Sequence, residues 1–380
     1  MTTLVTLAEP YRSIQAEARA AAAKLEPYAV EADNSATLDK RVLEVLRDSA
    51  LFEFLVPAEY GGRFETIDSF ALCLIREAVM AVCSHADTLF TCQGVGSLGI
   101  TVHGSEDQKA VWLPRVASGE VLAALALTEP VAGSDLKSIV TRVTGDGDAL
   151  VLNGHKAFIS DAGIADFYIV LAKDGSGEAM SAFLVPAGCP GLEIVPGPDL
   201  IAEHVIGELR FDNVKLSASA RIGAPGDGLK IALSTLAVFR VSVAGASVGL
   251  AQVALEEATR HTRTREQFGR PLARLGPVAG HLADAWAEVA ATRLLTYQVA
   301  QLVKEDPLGH LQHSSLAKLA ATEAASRVID RCVQVMGRWG LVKDSRVERC
   351  FRQARPGRIY EGASEVLRLG IARQLCDDVD

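Results

Sequence analysis

The sequence predicts a mainly α protein with a central β-domain. Apolar residues recur at helical spacing through the first third of the chain and again through the last third. The middle breaks into short β-rich runs separated by glycine-containing turns. With 380 residues, 49% of them hydrophobic, the chain can bury a sizeable core, and its length allows two or three domains.

In chain order, Tyr11 to Ala29 is alanine-rich and reads as a helix. Thr37 to Ser49 carries Leu38, Val42, Leu43, Val45 and Leu46, a helical period. "VPAEYGG" (56–62) is a turn. Ile67 to Val82 and the stretch around Val111 to Ala117 continue the helical pattern, and "SGE" stops it. Then come "ALVLNGHKAFIS" (149–160), "FYIVLAK" (167–173), "AFLVPA" (182–187), "LEIVPG" (192–197) and "ELRFDNVKL" (208–216). These read as strands of a small antiparallel domain, punctuated by "GDGD" and "KDGSGE". Helices return over Gly228–Arg263, Leu275–Lys304, His313–Gly337 and Glu365–Cys376, with Pro307 and Gly309 breaking the second from the third. The implied domains are 1–123, 124–226 and 227–380.

Composition excludes some functions. The net charge of −9 argues against nucleic acid as a main partner, because phosphate binding needs a basic field. Seven scattered cysteines form no C-x-x-C pair, so neither a zinc site nor a disulfide framework is expected, and free thiols suit a reducing cytoplasm. The N-terminus carries Glu9 and Arg12 and no apolar signal core. Ile231 to Leu255 is long enough to span a membrane, but Arg240 would sit near the bilayer centre, a costly place. A buried helix in a helical bundle fits it better.

Four motifs carry chemistry. "ALTEPVAGSD" (126–135) combines small residues that let backbone approach a ligand with the hydroxyls of Thr128 and Ser134. Taken alone it is a turn with a helix cap. "NGHKAFISDAGIADFYIVLAK" (153–173), "TREQFGRPL" (264–272) and "YEGASEVLRLGIARQ" (360–374) follow in order. As an ordered set, the chain resembles the acyl-CoA dehydrogenase family of flavoenzymes from about Leu51 to Gln374. "LFEFLVPAEYGG" and "HGSEDQKAVWLPRVASGE" extend the likeness.

The resemblance implies an N-terminal helical domain, a β-barrel-like middle domain and a C-terminal four-helix bundle. It implies FAD held noncovalently between the domains and across a subunit contact; no G-x-G-x-x-G fingerprint supports a Rossmann site. By resemblance, Leu127 and Thr128 lie against the flavin ring, with Ser134 nearby. Phe158 and Ser160 stand where the family often has an aromatic residue and a threonine, and stacking and a hydroxyl donor survive both changes. Arg265 and Phe268 reach the FAD of a neighbouring subunit, where a guanidinium suits a pyrophosphate. Gln334 and Gly337 of "QVMGRWG" belong to the same cofactor set. Arg240, a cation in an apolar helix, needs an anion or a dipole; the alternatives are a structural ion pair or a place beside substrate and base.

The implied reaction removes two hydrogens from the α and β carbons of an acyl thioester. Glu361 matches the family's short- and medium-chain base, flanked by Tyr360 and Gly362, which with Ser134 and Arg240 make up the substrate set that the resemblance implies. Some relatives place the base just before the arginine matched by Arg240, but Phe239 stands there and cannot accept a proton. Glu365 reads as a cap or surface charge. Departures include Ala363 after "YEG", Arg338 in place of a glycine, "RQAR" (352–355), Gly276 and Ala237. They leave open whether CoA or an acyl carrier protein presents the substrate. An oxidase or monooxygenase of the same fold and an inactive flavin-binding or assembly protein are further alternatives; a retained Glu361 disfavours the monooxygenase and the inactive protein. Electron-transferring flavoprotein as acceptor, and a homotetramer arranged as a dimer of dimers, are implied by resemblance alone.

Overall fold

Local signals set many element limits. A computed structural model describes residues 4–377 and 379; the outermost limits of the expected domains, 1 and 380, lie outside them. The chain opens with α1 (Tyr11–Leu25), α2 (Ala29–Ala32), α3 (Lys40–Asp48), α4 (Ser69–Met80), α5 (Ser84–His103) and α6 (Glu106–Ala117). Asp39 caps α3, and Ser105 with Gln108 forms a reciprocal capping box on α6. The strands are β1 (Ala123–Ala126), β2 (Arg142–Thr144), β3 (Leu150–Ser160), β4 (Phe167–Asp174), β5 (Met180–Pro186), β6 (Leu192–Pro196), β7 (Ile206–Leu216) and β8 (Arg221–Ile222). After them come α7 (Gly228–Thr264), a hairpin of β9 (Glu266–Gln267) and β10 (Arg270–Pro271), α8 (Gly276–Glu305), α9 (Leu311–Met336), α10 (Arg346–Ala354) and α11 (Ser364–Asp377).

The sheet runs β6-β7-β3-β2-β4-β5-β8, with β1 beside β4. It is mixed, which corrects the antiparallel expectation: β4 pairs in parallel with both β1 and β2. β1 is "AALA", without a β-branched or aromatic residue to mark it. The sequence reading also passed over α5, because Gly94, Gly96 and Gly99 weaken its helical signal. Gly96 is needed there: a Cβ would lie 2.6 Å from the Ala124 nitrogen of β1.

The chain divides into two units. One takes the described residues of Met1–Val30, Ser69–Asp87 and Ala237–Asp380, and is helical. Leu250, Leu255, Val328 and Ile329 fill one part of its core; Phe70, Leu74, Val241, Val248 and Tyr297 fill another. Each fully buried side chain of this kind contributes about 1.5–3 kcal/mol. The other unit, Glu31–Asp68 and Thr88–Leu236, holds the sheet. Tyr168 and Val170 of β4 face one core, while Phe167 and Ile169 face the other. That double burial explains the unbroken apolar run "FYIVLA". α7 is long and apolar enough to cross a membrane, and 89% of its most apolar stretch is buried within the protein. All seven cysteines are free thiols.

Candidate active site

In the helical unit, the segment from Pro356 to Gly362 approaches α7 and α9. Glu361 and Gly362 both have positive φ, 52° and 107°. For the glutamate this left-handed conformation costs about 1–3 kcal/mol and needs surrounding contacts to hold it. Two cations supply them. Nε of Arg240 on α7 donates to the Glu361 carbonyl at 2.7 Å, and Nζ of Lys318 on α9 donates to the Gly362 carbonyl at 2.7 Å. Nη1 of Arg240 also donates to Ser315 Oγ at 3.1 Å, and Ser314 Oγ donates to the Ala237 carbonyl at 2.6 Å. These bonds tie α9 to α7.

The Glu361 side chain is left without such a bond. Its residue is half-buried, and Oε2 lies inside with no hydrogen-bond partner. Burial pushes its pKa above the ordinary carboxylate range, against the pull of Arg76, Lys318 and Arg240; Asp87 adds to the push. Arg76 on α4 is itself buried and paired: Nε and Nη2 donate to the Asp87 carboxylate at 2.9 and 2.7 Å, and Nη1 donates to Ser242 Oγ at 2.9 Å. The arrangement is a carboxylate in a positive field whose nearby cations spend their donors elsewhere, so its oxygen remains available to take a proton.

The structure brings Arg240, Tyr360 and Gly362 to Glu361. Tyr360 is 38% exposed, and its ring centroid lies 6.0 Å from Lys318 Nζ. Phe239 is buried on α7. Glu365 is a surface charge in the first turn of α11, 3.8 Å from Arg368. Sequence reasoning missed Lys318, Arg76 and Asp87. Lys318 had left a signal: it falls on the stripe of Ser314, Ala317, Ala321 and Ala325, which is the buried face of α9.

In the sheet unit, the loop after β1 is fixed from β3. Lys156 Nζ donates to the Leu127 carbonyl at 2.9 Å and to Glu129 Oε1 at 2.8 Å, both ion-pair side chains being fully buried. Burial lowers Lys156 to about 8, with Glu129 opposing. Glu129 in turn accepts from the backbone N–H of Val140 and Thr141. The Ala157 N–H donates to the Thr128 carbonyl at 3.0 Å. Thr128 is therefore joined to β3 one residue before Phe158, whose ring is 58% exposed at φ 55°. Ser160 Oγ lies 3.1 Å from His204 Nε2, a partner the sequence had not suggested. Ser134 is exposed further along the loop.

A third group lies on the surface of the helical unit. Arg265 is exposed at the end of α7, and Phe268, 89% exposed with φ 52°, forms the tip of the β9–β10 hairpin. Gln334 is exposed near the end of α9, and its carbonyl accepts the N–H of Gly337. Gly337 has φ 58° and open space around it.

Models of the acyl-CoA dehydrogenase N-terminal, middle and C-terminal domains match residues 9–120, 124–214 and 226–376. The chain belongs to the acyl-CoA dehydrogenase family. It is 36% identical to cyclohex-1-ene-1-carbonyl-CoA dehydrogenase of Geobacter metallireducens, over 93% of this chain and 94% of that one. Among solved structures, butyryl-CoA dehydrogenase from Megasphaera elsdenii is 30% identical, with TM-score 0.92, covering 98% of this chain and 99% of that one. The prolyl acyl carrier protein oxidase AnaB is 25% identical, with TM-score 0.90, covering 97% and 100%. This family member is an oxidoreductase acting on CH–CH bonds, with an acyl-CoA dehydrogenase fold.

FAD is the cofactor of the acyl-CoA dehydrogenases. The donor chemistry here fits it. An exposed aromatic face at Phe158, on a strand that bonds the Thr128 backbone and carries Ser160, suits a flat ring with a polar edge. An exposed guanidinium at Arg265 suits a diphosphate.

Proposed function

We propose that this acyl-CoA dehydrogenase takes the α proton of an acyl thioester on Glu361 and that the β hydrogen leaves as hydride. One C=C bond forms and two C–H bonds break. Bound FAD would supply the acceptor for that hydride. The observation that carries the assignment is the inward, unpartnered Oε2 of Glu361, on a backbone held by Arg240 and Lys318. A base raised above the usual carboxylate range is better matched to a weak carbon acid. Arg240 holds the base in place, Tyr360 and Gly362 border the thioester, and the Glu361 N–H helps bind its carbonyl.

For FAD we assign Leu127, Thr128, Ser134, Phe158 and Ser160 to the ring. Arg265, Phe268, Gln334 and Gly337 are assigned to the adenine end, offered to a second copy of the chain. Domain limits of 1–123, 124–226 and 227–380, a homo-oligomer built as a dimer of dimers, electron-transferring flavoprotein as acceptor and a cytoplasmic location complete the reading. The test is anaerobic mixing of FAD-loaded protein with a panel of acyl-CoA thioesters, following flavin bleaching. Glu361→Gln is expected to slow bleaching by about 10²–10⁴-fold. Bleaching of that variant at the wild-type rate would remove Glu361 from the role.

A second reading has its own support. The likeness to a prolyl acyl carrier protein oxidase favours testing carrier-bound acyl groups. The same thioesters on an acyl carrier protein belong in the panel, and faster bleaching there than with CoA would reassign the substrate.

A further inference from the structure

The Glu361 loop is held by two cations of different kinds. Arg240 has a second anchor in Ser315. Lys318 is completely buried, and the only hydrogen bond of its ammonium among the described residues goes to the Gly362 carbonyl. A buried ammonium is expensive to keep unless something needs its charge. The opposite charge that acts on it most strongly is Glu361, and no hydrogen bond joins the two.

We propose that Lys318 is a positioning residue for the base: its ammonium, seated on the Gly362 carbonyl, fixes the left-handed turn that presents Glu361 and supplies part of the positive field at the carboxylate. This rests on the reading of Glu361 as the base. The carbonyls of two successive positive-φ residues, Glu361, for which that conformation is costly, and Gly362, are held from two different helices. Losing one clamp lets the segment relax toward ordinary φ, and the carboxylate turns with it. A lysine without its proton would donate less strongly to the carbonyl and add no field.

The charged groups around the pair are few. Arg240 comes from α7, Arg76 from α4 and Asp87 from α5; Glu323 lies on α9 itself and Glu365 on α11. The Tyr360 ring borders the ammonium. Burial brings Lys318 down to about 8, against the attraction of Glu361, so it is charged at neutral pH and loses its proton within reach of an assay.

The test compares FAD-loaded wild type, Lys318→Met and Glu361→Gln with butyryl-CoA as probe, by anaerobic stopped flow across pH. Hydrogen exchange of the peptide covering 358–366 provides a readout that needs no turnover. Lys318→Met is expected to reduce flavin about tenfold or more slowly with KM little changed, because the thioester still binds. The acidic limb of its rate profile moves to higher pH, since a cation that stabilises the ionised base is gone. Exchange at 358–366 becomes faster. A variant that had lost only packing would slow without moving that limb.

A Met variant within about twofold of wild type, with its acidic limb unmoved, overturns the proposal while a dead Glu361→Gln leaves the base assignment standing. An active Glu361→Gln removes both. If Lys318→Met fails to fold or to hold FAD, the wild type decides. Its rate of flavin reduction must fall as pH rises through about 8, and a rate flat well beyond that point overturns the proposal.

Discussion

Glu361 is costly to fold around. A carboxyl whose pKa is raised in the folded state has already ionised in the unfolded chain over the window between the two values. There the unfolded chain binds fewer protons, so stability falls as pH rises through the window, and above it the full penalty stands. Arg76, Lys318 and Arg240 reduce that penalty without cancelling it, since the net shift is still upward. Glu361→Gln is therefore expected to melt at a higher temperature than wild type at neutral pH. The gap should close as pH falls toward the ordinary carboxylate range, about 4. Melting both proteins across that range checks the sign, and a less stable Gln variant at neutral pH would mean the cations overcompensate. The proposed base could be singled out from sequence, because "YEG" follows the other motifs in order. Its three neighbouring cations were less legible: only Arg240 stands out as a lone charge in an apolar run. Lys318 sits among small polar and alanine residues that hide a buried face.

At the scale of elements, the site depends on how closely α7 approaches α4. A Cβ at Gly245 would lie 2.7 Å from the Cys73 carbonyl oxygen, and one at Gly249 would lie 2.1 Å from that of Glu77. The four-residue spacing puts both glycines on one face of α7, flush with the turn of α4 that carries Arg76. Gly249→Ala is expected to cost about 1–3 kcal/mol, read as a lowered denaturant midpoint, because one backbone must move. A midpoint equal to wild type would show that the two helices can part freely. The loop after β1 offers a second case. Lys156→Met leaves Glu129 as a buried carboxylate without its cation, at a cost of about 3–5 kcal/mol. The loop carrying Leu127 and Thr128 loosens with it, so the purified variant should hold less FAD per chain. Long helices were readable from their periodicity, and the central strands β4 and β5 as short apolar runs bounded by turn signals. β1, β2 and α5 were not, being too short, too alanine-rich or too glycine-rich for periodicity to register. The parallel pairing of β4 was hidden for another reason. Register and direction are set by which strands meet in space, and a run buried on both faces looks the same either way.

For the whole molecule, the hairpin after α7 is the telling feature. Phe268 presents 89% of its surface, on a residue with φ 52°, at the end of two-residue strands that have little core of their own. A bulky apolar side chain held out in a strained conformation is unfavourable for an isolated chain and sensible if something covers it. The proposed cover is a second copy carrying FAD, with Arg265 beside it for the diphosphate. Phe268→Asp keeps the hairpin exposed but makes that cover unfavourable, since a carboxylate would face a phosphate-bearing ligand across a desolvated contact. The variant is expected to fold, to purify with less flavin per chain, and to shift toward smaller species in light scattering, with added FAD partly restoring the larger ones by mass action. Arg265→Lys separates the two contributions. It retains charge but loses the planar fork, so it should weaken FAD retention more than assembly. If Phe268→Asp kept both its flavin and its wild-type mass, the hairpin would have no part in holding either, and the adenine end would have to be sought elsewhere on the chain.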